Sequence, residues 1–331
     1  MVLNSLRKNT FLVALLFILI FIGTWLQTIT GKIASYSSLA DSFPLPIFKI
    51  ISNIFPKNNT LPQISALVLS IVLGLLILNL TNKFILLKSR TYLPFLFYLL
   101  TSSAFIPIQK FNPALLASIF IFLAIDHVMA TYQKRNPLDN IFRAGLSIGI
   151  ASLIYAPSVS VGIWSLFALL TLRTFDIREW FVLLFAFTVP WLFVLLFYFA
   201  LSIDFNTLIT TFITNLIVPF EPTSDPIAFY IFISFLGLPF MVALLRVVPN
   251  LSSQKIAIRR YFTILIQLFL LIILTFILIP SCSYEIFYLL AIPASFIYSS
   301  YFVEARDNFW NNLLFALPII GAIIVQILIR F

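Results

Sequence analysis

Charge is scarce in this sequence. Only 9% of its 331 residues are Asp, Glu, Lys or Arg, and 62% are hydrophobic, whereas a soluble domain carries about 25% charged residues. That balance excludes a water-soluble globule. Lipid has to surround much of the chain, and a backbone in lipid satisfies its hydrogen bonds only inside helices or a closed barrel. Barrel strands alternate polar and apolar residues, but the long runs here are apolar on every side, which leaves helices. Cysteine is nearly absent. Cys282 stands alone, so the chain forms no internal disulfide and no cysteine metal cluster. His127 is the sole histidine, which argues against a His-rich metal site. A Walker-type G-x-x-x-x-G-K-[ST] loop is missing, which removes nucleotide hydrolysis by that route. These absences leave no resident cofactor to expect.

The chain is organised around residues 136–178. Two apolar runs, 141–155 and 159–172, are separated only by Ala156, Pro157 and Ser158. Lys134, Arg135 and Arg143 flank the pair on one side, Arg173 and Arg178 on the other. Gly145 and Gly149 fall on one helix face, where small side chains let helix backbones approach closely in lipid. The pattern predicts a tight transmembrane hairpin with both open ends in the cytoplasm.

Nine further apolar runs complete the reading: 11–27, 64–80, 92–108, 114–130, 180–202, 227–245, 261–280, 286–302 and 309–328. The first is longer than a usual signal-peptide core and is taken as a retained span. The expected fold is an all-α, polytopic transmembrane helix bundle of about eleven spans in a single domain, residues 1–331, with a cytoplasmic N-terminus. Two long outer loops, 28–63 and 203–226, each carry a short apolar stretch, 43–55 and 208–218, suited to an interfacial helix. With this layout, fifteen of the twenty Lys and Arg residues fall on cytoplasmic segments, the bias of the positive-inside rule. The net charge of +9 is therefore spread between spans and forms no continuous phosphate-binding face, so nucleic acid is not an expected partner. Membrane lipids are.

Carboxylates supply the candidate chemistry. The layout puts Asp41 in the first outer loop, Asp204, Glu221 and Asp225 in the second, and Glu285 in a short outer turn. An outward carboxylate can serve as a general base or ligate a divalent cation through oxygen. It can equally be a solvated loop acid, since outer loops are depleted of bases. Asp126 and His127, near the cytoplasmic end of the fourth span, suit either a proton relay or an interfacial pair with a base such as Arg135. Lys88, Ser89, Arg90, Thr91 and Tyr92 open the third span and can anchor it or touch lipid phosphate.

Several of these features together resemble the C-type glycosyltransferases, multi-span enzymes that use polyprenyl-phosphate sugars. The likeness runs from the second span to the seventh. It comprises a basic loop before the Pro94-containing span, a short outer turn, the Gly145-x3-Gly149 hairpin and its Tyr155-Ala156-Pro157 turn. An outer loop with an interfacial segment directly after the first span is similar too. The resemblance implies sugar transfer from a polyprenyl-phosphate carrier at the outer face of the bacterial inner membrane. It makes Asp41 the candidate base, with Asp204, Glu221 and Asp225 in the loop covering the substrate. Members often carry a second acid in the second outer turn, where this chain has Asn112 before Pro113, which makes Asn112 a candidate substrate-binding residue beside Asp204, Glu221 and Asp225. Residues 88–98 with Asn112-Pro113 also resemble an uncharacterised family of multi-pass inner-membrane proteins from Bacteroidetes, which implies a compartment but no activity. The alternatives are a non-catalytic membrane subunit or scaffold of an envelope assembly and, third, a transporter.

Overall fold

A computed structural model describes residues 6–7, 10–30, 43–53, 60–103, 105–220 and 226–328. Among them the chain forms thirteen α-helices and no strand. In order these are α1 (Phe11–Ile29), α2 (Pro46–Ser52), α3 (Leu61–Lys83), α4 (Leu93–Ser103), α5 (Pro113–Met129), α6 (Leu138–Ile154) and α7 (Ser160–Leu172). There follow α8 (Ile177–Ala200), α9 (Phe205–Ile217), α10 (Pro226–Asn250), α11 (Ile256–Leu278), α12 (Phe287–Glu304) and α13 (Phe309–Leu328). Each of the eleven apolar runs holds one of these helices, and α4 fills only part of its run. Six of them, α3, α8, α10, α11, α12 and α13, are long and apolar enough to cross a bilayer. The chain is a helical, multi-pass membrane protein.

Short helices fill the middle. Eleven residues of α4 reach about 16 Å, too little to cross a bilayer alone. Every residue of α4 is buried, so protein and not lipid surrounds it. Its start is fixed by Thr91, whose Oγ1 accepts from the Leu93 N–H at 3.3 Å. Near its end the Thr101 hydroxyl bonds back to the Phe97 carbonyl at 2.7 Å. A one-turn 3-10 helix, Ile106–Ile108, then leads to α5. The opposite case is α8, which leaves Phe181, Phe185, Leu192, Phe193 and Leu196 exposed, as a lipid-facing helix should.

One apolar core runs from Phe17 in α1 to Val325 in α13. Its centre is aromatic: Phe97 stacks on Tyr298 and Phe302 with ring centroids 4.7 and 5.2 Å away. Trp164 of α7 donates its indole N–H to the Ile264 carbonyl of α11 at 2.8 Å. In lipid no hydrophobic force drives helices together, so such close packing and interhelical bonds hold the bundle. The Gly145/Gly149 face shows the same principle. It packs against α8, not against the other arm of the hairpin. A Cβ on Gly145 would fall 2.5 Å from the Leu183 carbonyl oxygen, and one on Gly149 would collide with the Phe187 carbonyl. Pro190 also presses on Gly149, 3.0 Å from where that Cβ would lie. The hairpin turn is therefore present, as the 3-10 turn Ala156–Val159, while the tightest contact belongs to the fifth and seventh predicted spans.

Alternate turns gather at two ends. At one, Arg173 donates from Nε to both Glu179 carboxylate oxygens, at 3.0 and 3.1 Å, and from Nη1 to the Thr131 and Lys134 carbonyls. Arg260 reaches the Leu172 carbonyl at 2.8 Å, and Lys83 meets Asp126 at 2.6 Å. This basic end collects the segments rich in Lys and Arg. The other end collects the two long loops, and we call it the loop end.

Candidate functional site

The loop end is where the carboxylate chemistry was expected, and it is built from segments far apart in sequence. Helix α9 supplies Asn215, whose Nδ2 donates to the Phe43 carbonyl at 2.8 Å, two residues after Asp41. The Ser281 hydroxyl donates to the Asn215 carbonyl, and the Phe220 N–H donates to the Pro280 carbonyl at 3.0 Å. From the first loop, Phe48 of α2 stacks on Phe111, with centroids 5.8 Å apart and planes 13° from parallel. The two long loops and the turn between α11 and α12 thus share one roof. Helix α9 is amphipathic: Leu208 and Asn215 face inward, while Ile209, Ile213 and Ile217 stay exposed at four-residue spacing, as in an interfacial helix.

Beneath the roof lies a buried charge pair. Lys110 Nζ is 3.8 Å from Glu285 Oε1, with side-chain exposures of 11% and 1%. Two opposite charges taken out of water need each other, because either one alone would bear the full desolvation cost. Tyr155 and Cys282 are neighbours of Glu285, at the hairpin turn and the preceding loop. Burial pushes the Cys282 thiol up to about 12, so it stays neutral and is no nucleophile at physiological pH. Polar side chains continue inward. Gln109 donates to the Ser103 carbonyl at 2.6 Å and the Thr24 carbonyl at 3.1 Å, and its Oε1 accepts from Thr28. Tyr288 donates to the Ile108 carbonyl at 3.1 Å.

The expected site residues divide into two groups. Asp41, Glu221 and Asp225 lie outside the described residues. Asn112 and Asp204 are helix caps. Asn112 Oδ1 accepts from the Leu115 N–H at 2.7 Å, opening α5 with Pro113 at its first position, and its Nδ2 donates to the Ile108 carbonyl. Both ends of that amide are committed to backbone. Asp204 is exposed and accepts from the Asn206 N–H at 3.0 Å, at the start of α9. No hydrogen bond joins the two caps, and Asp204 forms no salt bridge with Lys110. Glu285 is the carboxylate that the structure brings inside. Its signal was an acid and a base, Glu285 and Lys110, both assigned to outer turns flanked by apolar spans.

At the basic end, Asp126 pairs with Lys83 across α5 and α3, not with Arg135. Among the described residues no group of three or more His, Cys, Asp or Glu side chains could hold a metal ion.

Residues 32–330 match the model of a family of unknown function, DUF6427. The chain belongs to this family. No curated protein matches it, and no solved structure does. The DUF6427 match takes in both the roof and the buried pair.

Proposed function

We propose that this DUF6427 protein resides in the bacterial inner membrane with its loop end outward. There it transfers a sugar from a polyprenyl-phosphate carrier, as in the C-type glycosyltransferases it resembles. The observation that carries the reading is the meeting of both long loops over the buried Lys110–Glu285 pair. In the transfer, a base removes the acceptor hydroxyl proton as the acceptor oxygen bonds to the anomeric carbon. The bond from that carbon to the carrier phosphate breaks, and the phosphate leaves with its electron pair. Asp41 is the base, and Lys110 offers positive charge to the leaving phosphate. Glu285 holds Lys110 in place.

The test is a host strain lacking the chain, complemented with wild type, Asp41→Asn or Glu285→Gln. Polyprenyl-phosphate sugars are then profiled by mass spectrometry. A carrier-linked sugar accumulates in the deletion and in Asp41→Asn at normal protein abundance, because losing a general base slows transfer by about 100-fold or more. An unchanged carrier profile in the deletion contradicts the reading.

A specific observation favours a second reading, a non-catalytic subunit. Asn112 stands where the family resemblance calls for an acid, and its amide is spent on helix capping. On that reading Asp41→Asn complements fully and an envelope protein co-purifies with the chain.

A further inference from the structure

The basic end holds a cavity of about 800 Å³, between the α3–α4 loop, the junction of α10 with α11, and the end of α12. Four cationic residues line it: Lys88, Arg246, Lys255 and Arg306. Among the described residues that line it, Glu304 is the one acid, and that carboxylate is occupied. Lys88 Nζ lies 2.8 Å from Glu304 Oε1, and Gln254 Nε2 donates to the same oxygen at 3.0 Å. Arg246, Lys255 and Arg306 form no salt bridge among the described residues. Three positive side chains therefore line one cavity without a salt-bridge partner among the described residues.

One feature of the backbone agrees with an anionic occupant. Helix α11 starts at the cavity with Lys255 as its N-cap and no side chain capping it, and a helix N-terminus attracts negative charge. Ile85, which also lines the cavity, has φ of 49°, a left-handed conformation that costs a β-branched residue. The floor is different in character. Leu86, Leu87, Val247 and Phe262 line it, so the cavity offers cations above and hydrocarbon below. Ordinary positive-inside anchoring scatters bases around a rim; here they line one open cavity.

We propose that this cavity binds the phosphate headgroup of an anionic membrane lipid. The phosphate sits among Arg246, Lys255 and Arg306, and the first carbons of the lipid rest on the apolar floor. The site lies at the end of the bundle opposite the roof and does not depend on sugar transfer. A free phosphate shares the headgroup chemistry, and the two sources are separated by the apolar floor, which only the lipid uses.

The test uses the full chain purified in a zwitterionic detergent, titrated with dioctanoyl phosphatidic acid and read by native mass spectrometry. Inorganic phosphate and dioctanoyl phosphatidylcholine serve as comparison probes. One variant carries Arg246→Gln, Lys255→Gln and Arg306→Gln. A control carries Arg135→Gln, Arg143→Gln and Arg178→Gln, which removes the same charge from the same end away from the cavity. All six side chains are exposed, and monodispersity on size exclusion checks that both variants fold. Phosphatidic acid binds wild type and control saturably, and the cavity variant at least about tenfold more weakly, the equivalent of one lost charge-assisted contact. Equal weakening in both variants, or no saturable binding to wild type, overturns the proposal. Inorganic phosphate binding as tightly as phosphatidic acid overturns the assignment to a lipid.

Discussion

Arg173 ties three segments of the basic end together, since its guanidinium holds Glu179 and two carbonyls of the turn after α5. Its side chain is 19% exposed and that of Glu179 6%, so removing either leaves a largely desolvated charge. Arg173→Ala should therefore lower stability by about 3 kcal/mol. Lys83→Ala, which breaks the far more exposed pair with Asp126, should cost less than about 1 kcal/mol. Thermal unfolding of the purified variants checks both. Residues of this kind show what a sequence conceals. Asn112-Pro113 and Asp204 carry the ordinary marks of a helix start, an Asx side chain ahead of the first turn, and the structure uses them so. The resemblance to sugar transferases drew them toward substrate instead. Glu285 is the reverse case: its burial comes from packing against Lys110, 175 positions earlier, and no local pattern encodes that. Because the pair is buried, Lys110→Met should destabilise the loop end, and adding Glu285→Gln should recover part of the loss. A double-mutant cycle in thermal unfolding measures the coupling.

At the scale of elements, the apolar runs were legible because a lipid-facing helix needs little more than length and hydrophobicity. Their partners were not. The Gly145/Gly149 face announced a close helix contact, yet the contact is with α8 and not with the neighbouring arm α7. Hydropathy reads each helix alone, and pairing depends on surfaces that meet only after folding. The same limit explains α4, predicted as a full span at 92–108. Hydroxyls at Thr101–Ser103 and the turn at Pro107 end the helix early, and its complete burial removes the need to reach both interfaces. Gly149→Leu should push α6 off α8, costing about 3 kcal/mol or more as overpacking. Gly23→Leu, where a Cβ meets nothing within 4 Å, should be tolerated. Size exclusion and thermal melting of the two proteins compare them directly.

For the molecule as a whole, the separation of its two ends organises everything else. Interfacial helices, the aromatic roof and the Lys110–Glu285 pair occupy one end; the Arg173 clamp and the cationic cavity occupy the other. By the positive-inside rule the charge bias predicts that the basic end faces the cytoplasm. Sugar transfer from a polyprenyl-phosphate carrier requires the loop end outside, so orientation is the claim on which the functional reading stands. Site-specific labelling in intact cells measures it. In a Cys282→Ser background, Ser202→Cys reports the loop end and Ser89→Cys the basic end, both at exposed positions. A membrane-impermeant maleimide should label Ser202→Cys in intact cells and Ser89→Cys only after the membrane is opened. Labelling in the opposite sense would put the roof in the cytoplasm and contradict the account.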